Sequence, residues 1–141
     1  MSKILAVEDN PAILDFYQEF FSDAGFDVKT ADDALKAIAA QTEFKADLIL
    51  LDLNIPEGGG LLVFETLRAR QDMVPIIFST GKPETIVILA ELPNVNVVKK
   101  PTAPEVLMAL VQKTIANSRP AEPKMNPVPP PPPRLPPGRP Q

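Results

Sequence analysis

The sequence predicts an α/β fold: a parallel sheet of five strands with five helices distributed over both faces. Three observations carry this. Short aliphatic runs of strand length recur through residues 1–117, stretches with helical apolar spacing alternate with them, and Gly, Pro, Asn and Asp punctuate the joins.

Ile4–Val7, Leu48–Leu51, Ile76–Phe78 and Val95–Val98 have the length and apolar continuity of strands buried on both faces, and Phe26–Thr30 is a weaker strand. The first helix shows its apolar stripe at Ile13, Phe16, Tyr17, Phe20 and Phe21. Asn10 is placed to cap it, Pro11 suits its first turn and Gly25 ends it. Asp33–Ala40 and Gly60–Arg70 read as helices, and after Pro104 the residues Leu107, Leu110, Val111, Thr114 and Ile115 form one stripe. Pro83–Leu92 suits either a strand, through Ile86–Leu89, or a helix; the alternation elsewhere selects the helix. Five βα units in so short a span imply a parallel sheet, in which ligands bind at the carboxyl ends of the strands.

Composition narrows the chemistry. The 141 residues contain no Cys and no His, which removes disulfides, thiolate or imidazole metal ligation, and any Ser-His triad. Carboxylates, hydroxyls and Lys or Arg are left to carry a reaction. No stretch of about 18 apolar residues occurs and the N-terminus runs directly into a strand, so neither a membrane span nor a signal peptide is expected and a cytoplasmic protein is the plain reading. The net charge of −4 is uneven. Residues 1–117 hold 17 acidic and 10 basic side chains, whereas residues 118–141 hold Glu122 against Arg119, Lys124, Arg134 and Arg139. An acidic folded part would repel phosphates, so direct nucleic-acid binding is not expected. Eleven of residues 118–141 are Pro, including Pro129–Pro133; proline lacks the amide donor and fixes φ, so a disordered or polyproline II tail is expected after a domain spanning 1–117.

Each of the better strands ends in a group suited to phosphate or a cation: Glu8-Asp9 after the first, Asp52 then Asn54 after the third, Ser79-Thr80-Gly81 after the fourth, Lys99-Lys100-Pro101 after the fifth. Three carboxylates gathered at one edge repel unless a cation joins them, and Mg²⁺ is the hard ion that prefers such donors. That ion screens Asp52 so that its oxygen can approach an anionic phosphoryl group, while Lys100 and the Thr80 hydroxyl bind the transferred oxygens. The chemistry required is a carboxylate nucleophile forming an acyl phosphate.

Val7-Glu8-Asp9-Asn10, Leu51-Asp52-Leu53-Asn54-Ile55-Pro56 with Gly60 eight residues after Asp52, Ser79-Thr80-Gly81 and Lys99-Lys100-Pro101 together resemble the receiver domains of two-component response regulators, over residues 3–117. The resemblance implies a flavodoxin-like doubly wound sheet of order 2-1-3-4-5. It implies Asp52 as phosphoacceptor, Asp9 as a direct Mg²⁺ ligand beside Asp52, Glu8 acting through a metal-bound water, and Asn54 offering its backbone carbonyl. It also implies Thr80 as switch hydroxyl and Lys100, which directly precedes the proline through a bond resembling the family's cis peptide, as phosphoryl-binding lysine. On the same basis a sensor histidine kinase or phosphotransfer protein supplies the phosphoryl group. A downstream protein target docks on the face formed by Pro83–Leu92, Val95–Lys99 and Pro104–Asn117. The expected chain is a stand-alone phosphoacceptor switch with intrinsic self-phosphorylation and autodephosphorylation, not a turnover enzyme.

Departures from the family pattern sit beside these matches. Val97 stands where an aromatic is usual, Thr102 where Phe is usual, Gly58-Gly59-Gly60 make the loop after Asp52 looser, and Gly81 stands where Ala is common. The run Phe78-Ser79-Thr80-Gly81 resembles an atypical receiver subgroup carrying Phe-Ala-Thr-Gly. These keep open an alternative, a pseudo-receiver that docks partners without phosphorylation. An Asp-nucleophile hydrolase fits poorly, since its second acid would fall on Asn54. The segment Pro129–Pro137 also suits an aromatic groove that binds Pro-rich motifs.

Overall fold

A computed structural model describes residues 2–118; the Pro-rich tail, and with it the expectation of a partner for Pro129–Pro137, lies outside the described residues. The chain runs β1 (Lys3–Val7), α1 (Pro11–Asp23), β2 (Asp27–Ala31), α2 (Ala34–Phe44), β3 (Leu48–Asp52), α3 (Gly59–Ala69), β4 (Ile76–Thr80), β5 (Val95–Lys99) and α4 (Pro104–Ser118). All four strand pairings are parallel and the order is β2-β1-β3-β4-β5, the doubly wound arrangement that the resemblance implies.

Alternate residues of a strand face opposite sides, and the three central strands are apolar on both. Ile4, Ala6, Leu48, Leu50 and Ile77 pack under α1 and α4 with Tyr17, Phe21, Leu107, Val111 and Ile115. Leu5, Val7, Ile49, Leu51, Ile76 and Phe78 pack on the other face with Ala34, Ala37, Val63, Phe64 and Leu67 from α2 and α3. Each fully buried Leu, Ile or Phe contributes about 1.5–3 kcal/mol, so these two layers hold the sheet edge rigid. β5 is an edge strand, and only Val95 of its residues is fully buried, which corrects the reading of Val95–Val98 as covered on both sides.

Helix ends follow local chemistry. The Asn10 side chain accepts hydrogen bonds from the Ala12 and Ile13 amides at 3.0 and 3.4 Å, and Asp33 accepts from Lys36 N at 2.7 Å, each cap stabilising its helix by about 1 kcal/mol. Gly58, at φ +118, opens α3. Two residues on, a Cβ at Gly60 would meet the Asp52 carbonyl oxygen at 2.6 Å, so only glycine lets α3 start this close to the end of β3.

Four α-helices are present among the described residues, where five were expected. Pro83–Leu92 forms two 3₁₀ turns, Pro83–Thr85 and Val87–Glu91. The segment begins at Pro83, is followed by Pro93 and is only ten residues long. It also carries the β-branched run Thr85-Ile86-Val87-Ile88, whose χ1 restriction disfavours α-helix. Packing does not compensate: Ile86 is buried, while Ile88 is 71 % exposed.

Candidate phosphoryl-acceptor site

The carboxyl ends of β1 and β3 lie side by side, with Val7 paired to Leu51, so Glu8 and Asp52 leave the sheet together. Oxygens of Glu8, Asp9 and Asp52 all lie within 4.8 Å of one another. Glu8 and Asp52 are 2 % and 6 % exposed, whereas Asp9 faces solvent. Burial of two acids beside a third would be strongly unfavourable without a counter-charge. Lys100 supplies it: its Nζ donates to Glu8 Oε1 at 2.7 Å and lies 3.2 Å from Asp52 Oδ2. Burial by itself would lower the Lys100 pKa. The hydrogen bond to Glu8 and the charges of Asp52 and Glu8 outweigh it, and the net direction is upward, so the ammonium stays charged.

The backbone fixes these groups. Asp52 Oδ1 accepts from Asn54 N at 3.3 Å, Asn54 itself being exposed, and Glu8 Oε2 accepts from Asn10 N at 3.2 Å. Lys100 N donates to Thr80 O at 2.8 Å, which ties the lysine to the end of β4, and the Lys100–Pro101 peptide is cis. Lys99 is exposed. Thr80 is buried at the end of β4 next to Ser79, the register partner of Asp52, and its hydroxyl accepts from Lys82 N at 3.1 Å. Glu8, Asp9, Asp52 and Lys100 therefore form one cluster, which Thr80 joins through the sheet and through its carbonyl.

One polar group in the pocket wall was not singled out in the sequence. Ser79 and Lys100 line one cavity with Tyr17 on α1, which was read as part of the apolar stripe. Burial first, then the charge of Glu8, pushes the Tyr17 pKa above the usual value. The signal available was a lone tyrosine in a stripe of Phe and Ile, since a buried hydroxyl needs a partner.

Three carboxylates are an oxygen-only donor set, the chemistry a hard divalent cation requires, and a fixed ammonium alongside suits an anion. Such a cleft can hold a cation and a phosphoryl group together. Residues 4–112 match the response regulator receiver domain family, and the chain belongs to that family. It is 34 % identical over 112 residues to the DNA-binding response regulator MtrA of Mycolicibacterium smegmatis, covering 78 % of this chain and 49 % of that protein. It is also 34 % identical over 123 residues to the alkaline phosphatase synthesis transcriptional regulatory protein PhoP of Bacillus subtilis, covering 86 % and 51 %. The chain thus spans about half the length of these curated relatives. Among solved structures, the chemotaxis response regulator CheY4 of Vibrio cholerae superposes with a TM-score of 0.74 at 29 % identity, over 81 % of this chain and 98 % of that one. The receiver domain of the sensor histidine kinase PA1611 of Pseudomonas aeruginosa, with a magnesium ion coordinated in its active-site cleft, superposes at 0.72 and 26 % identity, over 82 % and 98 %. Among the described residues no helix is long and apolar enough to cross a membrane.

Proposed function

We propose that this receiver is a phosphorylation-driven switch acting in the cytoplasm, in which Asp52 accepts a phosphoryl group from a histidine kinase or phosphotransfer protein. The observation that carries this reading is the buried Asp52 carboxylate, bonded to Lys100 and clustered with Glu8 and Asp9 at the carboxyl edge of the sheet. An Asp52 oxygen attacks phosphorus, the phosphorus–nitrogen bond to the donor imidazole breaks, and the imidazole leaves as the acyl phosphate forms. Asp9 and Asp52 directly, Glu8 through water and Asn54 through its carbonyl would hold Mg²⁺; the acidic cluster, and the magnesium ion in the cleft of the PA1611 receiver, support a metal here. Held by these residues, the ion would supply positive charge against the phosphoryl oxygens. Lys100 moves its ammonium from the carboxylates to a phosphoryl oxygen, and the Thr80 hydroxyl exchanges its Lys82 amide partner for another. Hydrolysis of the acyl phosphate returns Asp52 and inorganic phosphate.

The output is altered affinity for another protein. The face of Pro83–Leu92, Val95–Lys99 and Pro104–Asn117 exposes Ile88, Leu92 and Val106, which favours docking there. Val97 is half-buried on β5 where the family's aromatic is absent, and the bond from Lys82 N to the Thr80 hydroxyl favours the Lys82 loop as the link to that face. Incubation with acetyl phosphate and Mg²⁺ is expected to add the mass of one phosphoryl group to the intact protein. Asp52→Asn is expected to remove that addition; equal labelling of the variant would refute the assignment.

A further inference from the structure

Phosphoryl transfer leaves one apolar surface unused, the seam between α1 and α4, which pack on the same face of the sheet. A run of four rings follows it. Phe16, 42 % exposed, stacks on Phe20 with centroids 5.1 Å apart; Phe20 meets Phe21 edge-on at 5.3 Å, and Phe21 meets Phe26 at 6.1 Å. A cavity opens at each end of the seam. One, of about 360 Å³, is lined by Phe16 with Pro104 and Leu107 of α4; the other, of about 420 Å³, is lined by Phe26 with Ile115 and Ala116 of α4. At about 100° of helical rotation per residue, Asp23 and Glu19 stand next outward from Phe16 and Phe20 around α1, with Asp15 beside them. All three acids are exposed, none is in an ion pair among the described residues, and α1 contains no Lys or Arg. The one lysine of α4, Lys113, lines a different cavity with Asn94 and Asn96. The seam is therefore an apolar groove walled by rings and rimmed by acid.

We propose that this groove is the docking site of the chain's own tail: Pro127–Pro137 lies along it, antiparallel to α4, with prolines on the rings and Arg134 and Arg139 facing the acidic rim. Three observations select this occupant. The helix α4 ends at Ser118, just past the cavity that Ile115 and Ala116 line, so the tail starts at one end of the groove. Charge is complementary, since residues 119–141 carry Arg119, Lys124, Arg134 and Arg139 against Glu122 alone. Length is sufficient: the groove runs about 18 Å from Ala116 to Pro104 at about 1.5 Å per helical residue. Pro127–Pro137 spans about 34 Å at about 3.1 Å per residue, and residues 119–126 remain to make the return. Proline fixes φ, so such a segment loses little freedom on entering a ring-lined groove, and the tether makes the encounter intramolecular. The far end of the docked segment then lies over Phe16, at the rim of the cavity that Ser79 and Lys100 also line.

The test uses the full chain. Because the sequence has no cysteine, Gly138→Cys offers a single attachment point for a nitroxide, whose broadening of ¹⁵N-labelled backbone amides reports where the tail sits. The amides of Phe16 and Glu19 are expected to broaden several-fold more than those of Ala46 and Asp72, which lie at the opposite edge of the sheet near the start of the tail. Reversing the tail charges with Arg134→Glu and Arg139→Glu leaves the folded domain untouched and is expected to reduce the broadening at Phe16 several-fold, the scale of two exposed ion pairs. Adding Asp15→Lys and Glu19→Lys to that variant is expected to restore it. Even broadening around Ala46, Asp72 and Phe26 would mean a tethered but undocked tail and would overturn the proposal, as would broadening centred on Leu35 and Leu62 between α2 and α3. So would a pattern indifferent to the charge reversal. Broadening of equal size when nitroxide and ¹⁵N are carried by different molecules would assign the groove to a second copy of the chain and overturn docking by its own tail.

Discussion

Replacing Lys100 with methionine keeps the length and most of the volume of the side chain and removes the charge that bridges Glu8 and Asp52. Both carboxylates are almost fully buried, and the ammonium reaches them at 2.7 and 3.2 Å. Removing one partner of a fully buried ion pair costs about 3–5 kcal/mol. The Lys100 side chain is 27 % exposed, so solvent screening reduces this to about 2–3 kcal/mol. For a domain of this size that corresponds to a melting temperature lower by about 8–12 °C. The assay is urea or thermal unfolding in EDTA, repeated with Mg²⁺. Saturation at about 100 times the dissociation constant stabilises the folded state by about 2.7 kcal/mol. The variant is expected to gain more than the wild type, because no ammonium then opposes the divalent ion. Wild-type stability of Lys100→Met in EDTA, or a smaller Mg²⁺ gain than in the wild type, would refute the view that one cation requirement governs this cluster.

Three further outcomes follow from the geometry. Gly60→Ala is expected to destabilise by about 1–3 kcal/mol, since its Cβ would meet the Asp52 carbonyl oxygen, whereas Gly81→Ala, which meets nothing within 4 Å, is expected to stay within about 0.5 kcal/mol; matched denaturant midpoints for the two would contradict this. Gln41, buried at the end of α2, accepts from Ala46 N at 3.0 Å and donates to Asp72 at 3.1 Å. Gln41→Leu is therefore expected to cost about 1–3 kcal/mol by leaving that amide unpaired, read as a lower urea midpoint. Tyr17 and Lys100 both have pKa values raised by folding, so both bind protons more tightly folded than unfolded, and the stability they contribute is complete below about pH 10 and lost as pH rises through their folded values. The midpoint is expected to fall above about pH 10, less steeply in Tyr17→Phe; a flat profile in the wild type would count against both shifts.

The strand edge was legible because its chemistry is local. Aliphatic runs ending in Glu8-Asp9, Asp52, Thr80 and Lys100 identify both the strands and the groups at their ends, and parallel pairing then brings Glu8, Asp9, Asp52 and Lys100 together. Asn10, Pro11 and Gly25 mark the limits of α1 for the same local reason. Pro83–Leu92 was misread because alternation along the chain says only that something connects β4 to β5. Whether that connection is α-helical depends on how much of Ile86–Leu92 the sheet can cover, and Ile88 and Leu92 stay exposed. The stripe on α1 placed Tyr17 in the core, where it lies, but a helical stripe says nothing about which polar groups on other elements share its cavity, here Ser79 and Lys100. The bond from the Lys82 amide to the Thr80 hydroxyl is likewise invisible in a strand pattern.

The most direct test of Asp52 as the acceptor is to trap the label where it forms. Borohydride cleaves an aspartyl phosphate reductively to homoserine, so the wild-type protein, treated after exposure to acetyl phosphate and Mg²⁺ and then digested, is expected to carry homoserine at position 52 alone. Homoserine at Asp9 or another acid, or a borohydride-resistant phosphate on Ser79 or Thr80, would contradict the account.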